Sequence, residues 1–227
     1  MAREKRATPG RKAAKAPEER IRARNEAAIL KAAVNLFARK GFDGTRIAEI
    51  AKASKLPKAN VYYYFETKEA IYARLIERLL SGWDSALEHI RADREPREAI
   101  ADYIAAKLEY SRKNAVESRF FANEMLRGGG FLSRTQRRHI QDVTHERVEV
   151  VENWIREGKL RKIDPKHLFI MLWASTQFYA DSAEVAAMTL DRTSLRRTDY
   201  DNARDTIVDV ILGGCLPVAG EHGPTND

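Results

Sequence analysis

The sequence predicts an all-α fold, on three observations. Apolar residues recur at helical spacing in segment after segment. Capping residues, prolines and glycines stand where helices start and stop. No two alternating runs are joined by a hairpin turn, so no sheet is expected.

Taken in order, the first helix is expected over residues 22–40, where Ile29, Ala33, Leu36 and Phe37 share a face and Gly41 provides a left-handed stop. Thr45 can cap a short second helix whose buried face is Ile47, Ile50 and Ala51. Ser54, Lys55 and Leu56 then form a tight turn, and Pro57 opens another short helix at a position that tolerates proline. Val61-Tyr62-Tyr63-Tyr64-Phe65 is β-prone by composition but has no partner strand, so it is assigned to the end of that helix and its exit. A longer helix over 67–90 buries Ile71, Leu75, Ile76, Leu79 and Leu80. Pro96 starts the next, through Ile100, Ile104, Leu108 and Tyr110, and a further helix over 116–126 stops at Gly128-Gly129-Gly130.

Residues 133–157 form a long charged helix with Ile140, Val143, Val148, Val151 and Ile155 as its apolar contacts, ended by Gly158. Asp164-Pro165 pairs an N-cap side chain with proline at the first helical position. The most apolar helix follows, expected to run unbroken over 165–188. The last is expected over 200–212, ending at Gly213-Gly214.

The 227 residues are ample for a buried core, and the single Cys215 rules out an internal disulfide framework and fits a reducing cytoplasm. No apolar run approaches the roughly 18 residues of a membrane span, and no signal peptide is visible. Positive charge is uneven. Residues 1–24 carry a net +6, residues 25–75 a net +4 and the remainder −3, within a whole-chain +7. A polyanion-binding end joined to a part with another role follows from that distribution. The division expected is a disordered basic arm over 1–21, a helix-turn-helix unit over 22–66, a ligand-binding and dimerising body over 67–214 and a flexible tail over 215–227. The helix from Pro57 is too short for a core of its own. It can lie against its predecessor and offer Lys58, Asn60, Tyr62 and Tyr64 to a DNA major groove.

The run LFARKGFDGT followed by IAEIAKASKLPKANVYYYFETKEAIY resembles the TetR family of one-component transcriptional regulators. The resemblance implies about nine helices, three for DNA binding and the rest a ligand-binding, dimerising body. It also implies that Thr45, with Arg46 beside it, meets phosphate at the start of the second helix. Lys58, Ala59 and Asn60 fall at base-reading positions, Tyr62 and Tyr64 at phosphate-holding positions, and Lys68 at the start of the following helix. The chemistry of these side chains suits those positions. Tyrosine hydroxyls donate to phosphate, Asn60 can pair with adenine and Lys58 can reach guanine. Phe65 and Tyr63 are expected in the core, and Thr45 can equally be only a cap.

Downstream, KLEYSRKN, SRFFANEML and GKLRKIDPKHLFIMLWASTQFYAD are similar to one TetR subgroup, the pyrimidine-utilisation repressors that sense uracil or thymine. That similarity implies a base-binding role for Trp83, Trp173 and Gln177, with Tyr110 and Asn123 completing the pocket. The residues themselves leave two readings open. Trp173 and Gln177, four apart on one helix face, can stack on and hydrogen-bond a planar ring, or Trp173 can be core and Gln177 part of a dimer seam.

Other chemistry is excluded or thin. His89, His139, His145, His167 and His222 lack metal-ligand spacing, and the triple glycine lacks the strand a phosphate-binding loop needs. Glu124 with Arg127, and Arg119 before them, read as an ion pair. No cofactor is called for. The expectation is a homodimeric, ligand-responsive repressor that binds a palindromic DNA operator. Its rivals are a TetR-type regulator with a different ligand, and a small all-α enzyme anchored to nucleic acid by its basic arm.

Overall fold

The computed structural model describes residues 17–217, so the arm over 1–16 and the end of the tail over 218–227 lie outside it. The described residues fold into ten helices: α1 (Pro17–Lys40), α2 (Ile47–Ser54), α3 (Lys58–Tyr64), α4 (Lys68–Leu87), α5 (Pro96–Lys113), α6 (Ala115–Leu126), α7 (Arg134–Arg156), α8 (Pro165–Asp181), α9 (Ala183–Thr189) and α10 (Arg197–Cys215). No strand occurs among them.

Local signals set most boundaries. Thr67 caps α4 by accepting from the Ala70 N–H, and Ser133 and Gln136 form a reciprocal capping box at α7. Asp164 accepts from the Lys166 and His167 N–H groups ahead of Pro165.

Four expectations about helix ends need correction. α1 begins at Pro17, with Glu18 and Glu19 in its positive first turn, so residues 17–21 are helical rather than part of a loose arm. Thr45 does not cap α2: the N-cap residue is Arg46, and the Thr45 hydroxyl instead donates to Gly41 O at 2.8 Å from a buried position. The apolar helix breaks at Ser182, because Asp181 and Ser182 are weak helix formers and Ser182 leaves helical geometry (φ −121°, ψ 37°). α10 runs through Gly213-Gly214 to Cys215, because burial of Ile211, Leu212 and Cys215 outweighs the glycine penalty. The Cys215 carbonyl also accepts from the Arg161 N–H.

Two hydrophobic cores lie along the chain. The first joins α1, α2, α3 and the first half of α4 with Phe120 and Phe121 of α6 and Leu132. The second joins the end of α4 with α5, α7, α8 and α10. The first core therefore does not close at residue 66; it takes in body helices. At its centre Tyr72 meets Phe120 edge-on at 4.6 Å between ring centroids, with Phe131 at 4.7 Å and Phe42 at 5.2 Å.

Glu124, 3% exposed, accepts from the Tyr72 hydroxyl at 2.8 Å and from the Phe131 N–H at 2.8 Å. The expected ion pair with Arg127 or Arg119 does not form among the described residues. Arg127 instead lays its guanidinium over Gly41, where a Cβ would overlap it, and Arg119 donates to Ala180 O. Removing the Tyr72 hydroxyl leaves a buried carboxylate with one of its two partners. Tyr72→Phe is expected to lower unfolding free energy by about 1–3 kcal/mol, read from urea titration of the full chain.

Candidate functional site

α2 packs on α1 and α3 packs on α2, with Ile50, Ala51 and Val61 all buried. The turn between them uses Lys55 in the left-handed region (φ 58°), and Pro57 stands just before α3 as its N-cap residue. With Val61 turned inward, Lys58, Ala59, Asn60, Tyr62 and Tyr63 are left on the exposed side. The Lys58 ammonium lies 5.6 Å above the Tyr62 ring.

Tyr63 is 74% exposed, against the expectation that it is core, whereas Phe65 is buried as expected. A helix only seven residues long buries one narrow stripe, and Val61 and Phe65, four apart, fill it. Tyr64 is half-buried against the first core, and its hydroxyl accepts from Asn25 Nδ2 of α1 at 3.2 Å.

Arg46 is exposed at the start of α2, whereas Thr45 is 1% exposed and its hydroxyl proton is committed to Gly41 O. Lys68 is also partly committed. Its ammonium donates to Phe42 O at 2.8 Å and Thr45 O at 3.0 Å and sits 4.1 Å from the Phe42 ring centroid. It staples the α1–α2 turn to the start of α4. Two of its three protons are used within the protein, and one is left for an anion.

Of the second set of expected residues, Trp83, Tyr110, Trp173 and Gln177 lie where α4, α5, α6 and α8 meet. Trp83 packs against the first core, edge-on to Phe121 at 4.8 Å, and Trp173 packs against the second, 6.2 Å from Phe169. The site therefore straddles the seam between the two cores. Tyr110 lies against α4 at Gly82, where a Cβ would overlap its ring. Burial pushes its hydroxyl up to about 12, Glu117 adds to the rise and Arg78 opposes it. Gln177 donates from Nε2 to Ser118 Oγ at 3.0 Å and to Asp181 Oδ1 at 3.3 Å, tying α8 to α6. Asn123 is not brought to this place. It is exposed on the far end of α6 and donates to Ala38 O of α1 at 3.3 Å.

One residue escapes the sequence reading. Lys107 of α5 is 2% exposed, with its ammonium 4.5 Å from the centroid of the Trp83 ring and 3.5 Å from Gln177 Oε1. Burial pushes it down to about 8, and the negative charge of Asp181 pulls the other way. The available signal is its spacing: Tyr103, Lys107 and Ser111 fall at i, i+4 and i+8 on the face of α5 that is buried. Among the described residues the Trp83 indole N–H is also buried with no hydrogen-bond partner. No group of three or more potential metal ligands occurs among the described residues. No helix among them is long and apolar enough to cross a membrane.

Comparison with known proteins identifies both halves. Residues 29–75 match the family of bacterial regulatory proteins named for TetR, and residues 76–218 match the C-terminal region of YcdC-like proteins. The HTH-type transcriptional regulator RutR of Escherichia coli strain K12 is 36% identical over 190 residues, covering 84% of this chain and 90% of that protein. Among solved structures, the TetR-family regulator PfmR of Thermus thermophilus superposes with a TM-score of 0.63 at 23% identity, over 84% of this chain and 96% of that one. AibR, solved with isovaleryl coenzyme A and operator DNA, has the same fold, with a TM-score of 0.59 at 19% identity over 82% of this chain and 97% of its own. An exposed helix-turn-helix face, a body built on the same chain and these matches together lead to one conclusion: the chain belongs to the TetR family of helix-turn-helix transcriptional regulators.

Proposed function

We propose that this regulator is a cytoplasmic repressor that binds a palindromic operator as a homodimer and leaves it when a small planar ligand, uracil or thymine in the first instance, reaches the seam between the two cores. The observation that carries the DNA-binding half is the outward face of α3, where Lys58, Asn60, Tyr62 and Tyr63 stand exposed on a helix held rigidly by buried Val61. Asn60 and Lys58 are suited to base edges, with Ala59 allowing close approach. Arg46, Tyr62 and Tyr63 are suited to phosphates. Tyr64, Thr45 and Lys68 support this face from behind, and Lys68 keeps one proton for a phosphate.

Dimerisation is supported by what the body leaves uncovered. Ile170, Met171 and Phe178 of α8, with Val210 of α10, remain exposed, and α8 and α10 both pack on α5. Their pairing with a twofold-related copy makes a four-helix bundle and sets two α3 helices about 34–36 Å apart, one turn of duplex.

The pyrimidine reading rests on Trp83, Trp173 and Gln177 lying around one seam, and on the 36% identity to RutR. The route to DNA runs along α6. Gln177 holds Ser118 near its start, while Asn123, Glu124 and Arg127 grip α1, Tyr72 and Gly41 at its other end. A ligand that parts α8 from α6 moves that grip and with it the α3 spacing. Reversing a 99:1 population in this way takes about 5.5 kcal/mol of differential affinity, shared by two sites in a dimer.

Three measurements test this. Fluorescence anisotropy on the DNA upstream of the chain's own coding region should show affinity falling steeply with salt, with Tyr63→Ala weakening binding roughly tenfold and Lys58→Ala costing about 1–3 kcal/mol and relaxing sequence preference. Unchanged binding in both variants removes α3 as the contact face. In analytical ultracentrifugation Phe178→Glu should sediment as a single chain and lose specific DNA binding, whereas a dimer with wild-type affinity contradicts the α8–α10 seam. Calorimetry with uracil and thymine should give heat and release DNA. Silence in both assays removes the pyrimidine while leaving the DNA-binding regulator intact.

A further inference from the structure

Lys107 is the group at the seam whose chemistry a neutral pyrimidine does not explain. It is 2% exposed, and among the described residues no carboxylate oxygen lies within 4.0 Å of its ammonium. Buried ammonium groups are ordinarily paired, because removing the charge from water costs several kcal/mol that only an anion or a full set of acceptors restores. Lys107 has neither. Its partners are one amide oxygen, Gln177 Oε1 at 3.5 Å, and the face of Trp83 at 4.5 Å.

The surrounding network prevents Asp181 from filling that role. Asp181 Oδ1 accepts from Gln177 Nε2, and the same amide turns its oxygen to Lys107. The amide cannot be reversed, since that would set its NH2 against the ammonium and its oxygen against the carboxylate. Gln177 thus stands between cation and anion and keeps them apart. Arg119 also acts on Asp181 from α6, so two cations share one carboxylate here. Beside Lys107 the Trp83 indole N–H is a second buried donor without an acceptor among the described residues. What the site lacks is negative charge and acceptor atoms.

We propose that Lys107 selects the effector by charge: the seam takes a planar ring whose edge carries a carboxylate or an ionised imide, set against the Lys107 ammonium with the Trp83 N–H as a second donor. The inference rests on the seam being the effector site, and it narrows the ligand from planar pyrimidines in general to anionic ones. Gln177 then acts as a positioning residue that aims the lysine, rather than as the principal contact to the ring.

The test compares three probes on the full chain by calorimetry at one pH and ionic strength: uracil, uracil-6-carboxylate and barbiturate. The two anions should bind at least roughly tenfold more tightly than uracil, as expected for a buried charge-assisted hydrogen bond. Lys107→Met should erase that preference, bringing the anions level with uracil whatever the absolute affinity, and Lys107→Arg should retain it. Circular dichroism and thermal unfolding of each variant establish that it is folded. If Lys107→Met is not, Lys107→Arg and the wild-type ranking decide the matter. Uracil binding as tightly as the anions, or an anion preference that survives Lys107→Met, overturns the charge selection and leaves the effector site standing. If no probe of either charge binds or releases DNA, the effector site falls and the selection with it.

Discussion

The helix-turn-helix unit does not enclose its own aromatic residues. Phe37, Phe42 and Tyr72 converge on a space that α1 to α4 leave open, and α6 fills it with Phe120 and Phe121 while Phe131 closes the side. Interiors pack like crystals, so rings in that arrangement cannot slide continuously past one another. Glu124 fixes the register by binding Tyr72 and the Phe131 backbone together. A displacement of α6 is therefore a displacement of the surface on which α1 and α4 rest, and the orientation of α3 depends on both.

The seam where Trp83, Lys107 and Gln177 meet has a related property. Helix α4 gives its first half to one core and its last residues to the other, and Trp83 sits at the change-over. Side chains from four helices meet there, with several polar atoms poorly satisfied. A densely packed protein tolerates such a place only at a cost in stability, and sites that bind or switch are where such costs are commonly found.

Much of this is legible in the sequence because local rules and tertiary packing agree. Asp164-Pro165, Ser133 with Gln136, and Gly41 after Lys40 each mark a boundary that the chain observes. The failures have physical reasons. Gly213-Gly214 reads as a stop, but the apolar residues around it are buried and carry the helix onward. Thr45 has the chemistry of a cap, and its hydroxyl finds a carbonyl one turn back instead. The hydrophobicity of Tyr63 points inward, yet a two-turn helix has only one side to bury. Asn123 falls on the right helix but one end too far along it, which spacing within a single helix does not reveal. Lys107 escapes notice because a lysine within AAKLEY resembles any solvated one, and its burial arises from α4 and α8, far away in the sequence.

Gly82 carries a consequence of its own. Its missing side chain is what allows Tyr110 to lie against α4, one residue from Trp83. A single methyl there would occupy the volume of the phenol ring, so the Tyr110 ring, or α5 with it, would have to move off α4. Gly82 thus sets how closely α5 can lie on α4 beside Trp83, and any larger residue there has to open that contact.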